Sequence, residues 1–231
     1  RNGYLFIHPC HEYPIPDGRI VEKYAQTDML LAVHKPDPNK SRGQYLDLLE
    51  LSVKEDPNDP RNAFYYAREL SFHGKWQEAI DACKRYLNLP RATWPNERCY
   101  AYRVMGRCYN DLGNWEEAEK AFQMAASESP NTREPWCELA MLNYRLARWE
   151  ECFAFAICAL RITNRLQVYT VDPEVWGAQP HDLAAIAAWN LGLKDLALEQ
   201  AKIAAALEPD DIRLQNNVKW MSGDPPLQDA A

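Results

Sequence analysis

Four times the chain returns to one short phrase, and that return limits its fold more than any single residue. Gly74-Lys75-Trp76-Gln77-Glu78-Ala79, Gly113-Asn114-Trp115-Glu116-Glu117-Ala118, Ala147-Arg148-Trp149-Glu150-Glu151-Cys152 and Gly192-Leu193-Lys194-Asp195-Leu196-Ala197 each open on a small residue and carry another five positions later. The first can turn a chain out of one helix; the second lets the next helix pack closely. Gly113 and Ala147 stand 34 residues apart, the period of stacked helix hairpins. Hairpins of this kind bury their apolar faces against their neighbours. They present an extended surface that binds more often than it catalyses.

This period is the tetratricopeptide one, and the chain resembles an all-α tetratricopeptide-repeat α-solenoid of about four helix pairs plus caps. The pattern predicts A and B helices over 62–73 and 76–89, 97–112 and 115–128, 133–146 and 149–162, and 181–191 and 194–207. Pro90, Pro130 and Pro209 stop the B helices, because proline lacks a donor and clashes with the preceding turn. Ala79, Ala118, Cys152 and Ala197 are expected to hold A and B together, and Trp76, Trp115 and Trp149 to fill the wedge between them as core. Caps are expected at 45–55 and 212–221, with a frayed tail over 223–231.

Two spacings exceed the period. Gly74 to Gly113 is 39 residues, with a surplus at 91–95, and Ala147 to Gly192 is 45, with a surplus at 167–177. Insertions between repeats map to loops on one face, often the binding face. The second one, bearing Tyr169 and Trp176, reads equally as a functional loop or as a packed cover over repeat 3.

A net charge of −7 gives no reason to expect nucleic acid or an anionic membrane as partner. The longest apolar run, Cys152 to Leu160, is nine residues, against roughly 20 for a membrane span. Seven cysteines with no C-x-x-C pair argue against a disulfide framework or zinc site and for buried thiols in a reducing cytoplasm. Cys10 alone lies outside the repeats, the one candidate for a reactive thiol.

The A helices supply the inner surface, so its residues follow from register. Arg68 comes from repeat 1, and Tyr100, Arg103, Arg107 and Asn110 from repeat 2. Tyr144 and Arg145 come from repeat 3, and Trp189 from repeat 4. Arginines among aromatics and amides suit an anionic peptide or a sugar phosphate. The alternative is that these arginines pair with acids on neighbouring helices.

The first 42 residues do not repeat. Tyr4–Ile7 and Met29–Val33 read as short strands separated by the turn signal Pro16-Asp17-Gly18. Two short strands are not a stable domain, so they are expected at the edge of a larger sheet. The runs Pro9-Cys10-His11-Glu12 and Leu30-Leu31-Ala32-Val33-His34-Lys35-Pro36-Asp37-Pro38-Asn39-Lys40-Ser41-Arg42 together resemble the end of a family 2 glycosyltransferase catalytic domain, which commonly precedes such repeats.

That resemblance implies a remnant of a GT-A domain over 1–42, a capping helix and linker over 43–60, and the solenoid over 61–222. It implies Glu12 as catalytic base with His11 beside it, His34 near the metal or the donor diphosphate, and Lys40 and Arg42 on phosphate oxygens. A divalent Mn or Mg would belong only to a full-length parent, because this chain has no DxD motif and would bind none alone. The reading expected on this basis is the C-terminal, by itself inactive, region of an inverting sugar transferase. Its donor would be a nucleotide-sugar, and its solenoid would hold a protein or glycan acceptor. A stand-alone scaffold for protein partners, able to self-assemble into a homo-oligomer, is the alternative.

Overall fold

The computed structural model describes residues 4–7, 13–16, 18 and 43–224, in two compact units, Arg1–Arg91 and Ala92–Ala231. In the first, β1 (Tyr4–Ile7) pairs antiparallel with β2 (Tyr13–Pro16), Leu5 opposite Ile15. The other expected strand, Met29–Val33, lies outside the described residues. Pro16, expected in a turn, instead ends β2, where a proline removes no interior ladder bond. Three helices follow: α1 (Gly43–Glu55), α2 (Pro60–Phe72) and α3 (Trp76–Leu87). Leu49, Phe64, Leu70, Ile80 and Tyr86 are buried in this unit, the rings of Phe64 and Tyr86 5.5 Å apart.

The second unit runs α4 (Pro95–Asp111), α5 (Trp115–Glu128), α6 (Arg133–Arg145), α7 (Trp149–Leu160), α8 (Gln179–Asn190), α9 (Lys194–Leu207) and α10 (Ile212–Ser222). A single 3-10 turn, Pro173–Trp176, interrupts the long connection before α8. Helices α2, α4, α6 and α8 are A helices; α3, α5, α7 and α9 are B helices. Asp211 caps α10 by accepting from the Arg213 and Leu214 N–H groups at 2.8 and 3.3 Å, and Asp59 does the same for α2.

One backbone device makes all four A-to-B turns. Gly74, Gly113, Ala147 and Gly192 have φ of 70°, 76°, 53° and 78°. The next residue's N–H reaches back to the carbonyl five before it: Lys75 to Leu70, Asn114 to Tyr109, Arg148 to Asn143 and Leu193 to Ala188, at 2.8–3.1 Å. This left-handed helix stop satisfies the last carbonyls and reverses the chain. Ala147 makes the same turn with a Cβ that the left-handed region disfavours.

After each turn, the residue five positions past the small one is sealed: Ala79, Ala118, Cys152 and Ala197 are all fully buried. In repeat 2 the helices approach so closely that a Cβ on Gly106 would come within 2.3 Å of the Phe122 ring. The tryptophans depart from expectation. Each opens its B helix as predicted, but Trp115 is 41% exposed and Trp76 and Trp149 are only half-buried. A first-turn side chain points back over the N-terminus of its helix, toward the hairpin bend, and so misses the interhelical core. Trp149 leans edge-on against Tyr144 there, 6.0 Å between centroids.

Candidate functional site

Position on an A helix decides which side chains share the face made by α4, α6, α8 and α10. Arg103 and Arg107 lie one turn apart on α4, and Glu134 and Glu138 one turn apart on α6. Arg107 Nε donates to Glu138 Oε1 at 2.6 Å, and Arg103 Nε stands 3.5 Å from the same oxygen.

Onto these residues folds the long insertion. Arg103 donates to the Thr170 carbonyl at 3.3 Å and to Asp172 Oδ2 at 3.4 Å, and Arg107 reaches Asp172 Oδ2 at 3.2 Å. Glu134 Oε1 accepts from the Asp172 N–H at 3.1 Å and from Trp176 Nε1 at 3.3 Å. Arg133 lies over the Trp176 ring, 4.2 Å from its centroid. The two insertions also meet, since Trp94 of the first packs on Tyr169 of the second at 5.4 Å and the Tyr169 hydroxyl hydrogen-bonds Glu97. Val175 is buried with Cys137 and Ala159. A cleft of only about 10 Å³ lies where Val168, Thr170 and Val171 of this strap meet Cys99, Arg103 and Glu134. Burial works against the Arg107 charge, yet Glu138, Tyr100 and Asp172 outweigh it and hold its pKa above the ordinary guanidinium value.

Beyond the strap the same face is open. A groove of about 450 Å³ lies between α6, α8 and α10, with the 3-10 turn at its edge. Met141, Leu183, Ile186 and Leu214 give it an apolar floor, and Tyr144, Glu174, Gln179, Asp182, Glu208 and Arg213 stand around it. Asp182 is already satisfied, accepting from Arg213 Nη1 at 2.7 Å and Asn217 Nδ2 at 3.0 Å. Glu208 Oε1 accepts the Ala178 N–H at 3.3 Å. Among the described residues neither Glu174 nor Glu208 is paired with a Lys or Arg. The Gln179 Oε1 atom is buried with no hydrogen-bond partner among the described residues. A smaller recess of about 240 Å³ joins this groove at Met141 and carries Arg107, Asn110 and Arg145.

The residues expected on a binding face therefore separate. Arg103, expected in the open groove, is 2% exposed beneath the strap, with Tyr100 stacked against its guanidinium at 5.3 Å. Arg107, Asn110 and Arg145 come together at the small recess, Tyr144 at the large groove. Trp189 pairs instead with Trp220, 4.7 Å between centroids, with Lys194 over its ring. Arg68 belongs to the first unit, where it stacks on Tyr65 at 4.7 Å. His11, Glu12, His34, Lys40 and Arg42 lie outside the described residues. Sequence reading missed Asp172, Glu134 and Glu138 in the strap network and Glu174 and Glu208 at the groove. The matching i, i+4 spacing of Arg103/Arg107 and Glu134/Glu138 was the available signal.

Cys83 and Cys152 are buried, as the repeat register implies; Cys99, Cys108 and Cys137 are buried thiols too, and Cys158 is half-buried. Burial pushes Cys99 and Cys108 up to about 11 and Cys152 to about 12, and raises Cys137 further. None of these four is a nucleophile at neutral pH.

No family model matches the sequence, nor does any curated protein. Solved structures do. YrrB, described as a TPR protein with an unusual peptide-binding site, superposes with a TM-score of 0.59 at 15% identity, over 76% of this chain and 82% of YrrB. The fold is the tetratricopeptide one. MamA from Desulfovibrio magneticus RS-1 gives 0.57 at 15% identity over 71% of this chain and 84% of its own. PilF of Pseudomonas aeruginosa gives 0.58 at 14%, over 77% and 72%. These tetratricopeptide likenesses correct the balance drawn from the first 42 residues, because they support the repeats and lend nothing to a GT-A part. Among the described residues no helix is long and apolar enough to cross a membrane.

Proposed function

We propose that this chain is a tetratricopeptide scaffold for protein–protein interaction, taking a short segment of a partner on the A-helix face of its second unit. The observation that carries this reading is the groove between α6, α8 and α10, about 450 Å³ and apolar at its floor. Its size falls within the usual range for binding clefts. The strap supports it too, for it is an extended segment already held on the adjoining stretch of this face by side-chain hydrogen bonds to its backbone at Thr170 and Asp172. YrrB's peptide-binding site fits the same use of the fold.

Display selection with random 12-residue peptides tests it. Selected peptides should bind the chain in solution and lose at least tenfold in affinity to Ile186→Arg, which fills the groove floor. If no sequence is enriched, or if Ile186→Arg leaves binding unchanged, the groove is not the site. A second copy of the chain is a partner of the same class, and sedimentation velocity across concentrations would show it as a rising mass.

A glycosyltransferase parent remains as a second reading on the motif residues 9–12 and 30–42 alone. The residues expected near its metal or donor phosphates lie outside the described residues. Calorimetric binding of UDP- or GDP-sugars with Mn²⁺ to the longest natural reading frame would support it.

A further inference from the structure

The groove between α6, α8 and α10 has a chemical bias that its apolar floor hides. Three acids and one base line it: Glu174, Asp182 and Glu208 against Arg213. The base is consumed locally, since Arg213 is held by Asp182 at 2.7 Å and stands 3.7 Å from Asp211. The pairing also removes Asp182 from what a ligand meets. What remains is acceptor capacity. Among the described residues the Glu174 and Glu208 carboxylates form no ion pair with a Lys or Arg, and the buried Gln179 Oε1 has no donor. Gly177, at the end of the 3-10 turn that carries Glu174, lies against the other acid: a Cβ there would be 3.1 Å from Glu208 Oε1. The rim thus gathers acceptors on the side of the 3-10 turn, over a floor of Met141, Leu183, Ile186 and Leu214.

We propose that the partner segment presents a Lys or Arg next to an aliphatic residue, the cation meeting Glu174 and Glu208 while the aliphatic side chain rests on Ile186 and Met141. This rests on the scaffold reading and narrows it to a basic peptide. An acidic segment is disfavoured because its carboxylate would stand among uncompensated acids. A neutral apolar segment would fill the floor but offer no N–H donor to the two carboxylates whose water it displaces, which costs affinity. A cation with several N–H donors answers both needs. Rim charges act mainly on the association rate, so binding should weaken with salt.

The test uses fluorescent decapeptide pools that share one central Leu and carry Arg, Lys, Ser or Glu beside it, measured by polarisation at 50 and 300 mM NaCl. Arg and Lys pools should bind at least tenfold more tightly than the Ser pool, with the Glu pool weakest. The preference should collapse to within about twofold in a Glu174→Gln, Glu208→Gln double variant. Glutamine at 208 keeps an acceptor for the Ala178 N–H, so the variant should melt with the wild type. Equal binding of all four pools that is lost in Ile186→Arg would overturn the cationic preference and leave the scaffold reading standing. Binding by no pool would sink both. A basic preference that survives the double variant would also overturn the assignment to these two carboxylates.

Discussion

One face of the second unit carries two neighbouring stretches with the same parentage and opposite fates. Over α4 and α6 the chain's own insertion lies on the helices, and Arg103 is buried in a network with Thr170, Asp172 and Glu138. Over α8 and α10 nothing of the described chain covers the face, and Arg213 stays 58% exposed on a single strong pair with Asp182. Both stretches lie on the same face, and both hold an Arg–Asp pair. The difference lies in the surplus residues between α7 and α8. A solenoid surface becomes interior where the chain folds back on it, and only the uncovered part is left for a partner.

The largest test of that contrast removes the base on each side. Arg103→Met should cost about 1–3 kcal/mol in urea denaturation, because it strands the buried Thr170 carbonyl and removes one of the two guanidinium groups that hold Asp172 and Glu138. Arg213→Met should cost less than about 1 kcal/mol, as exposed ion pairs do. Equal losses would mean that the strap is not anchored through Arg103.

Alkaline pH probes the covered interior as a whole. Burial holds Cys99 and Cys108 neutral to about 11 and Cys152 to about 12, above the ordinary thiol value. Their folded pKa values are raised, so the stability they contribute is complete below the unfolded value near pH 8.5. It is lost as pH climbs through the folded values. The melting temperature should therefore fall steadily above about pH 9, and a Cys99→Ala, Cys152→Ala variant should show a shallower slope. An unchanged slope would remove these thiols as its cause.

Trp115→Ala separates the two surfaces of a hairpin. Because its ring is 41% exposed, truncation should cost only about 1 kcal/mol, against roughly 3–5 for a sealed aromatic such as Phe122→Ala. Similar costs would put the Trp115 ring back into the core. Smallest of all, Ala147→Gly should stabilise by about 0.5 kcal/mol by relieving the one left-handed turn that has a side chain. A loss would show that φ of 53° carries no strain at this site.

The turn at each small residue, the seal five positions later and the starts of α5, α6, α7 and α9 were all readable, since these are local matters of backbone chirality and period. Helix α4 began two residues earlier than expected, at Pro95, because proline at the first helical position loses no bond. The tryptophans were misread for a related reason: the repeat gives their position along a helix, but the direction of a first-turn side chain depends on the bend it overhangs.

The sequence alone determined the helix-hairpin period, the sealed small residues and the two surpluses that interrupt the array. It placed Arg103, Arg107, Tyr144 and Arg145 on A helices, since register is a local property. Which of them meets a partner was a tertiary decision. Asp172 reaches Arg103 from 69 residues away, and Trp94 and Tyr169 join two insertions that no periodicity relates. The direction in which a loop folds is set by the ion pairs and apolar contacts it finds after the helices have stacked. That choice made one stretch of the face interior and left the other as a groove.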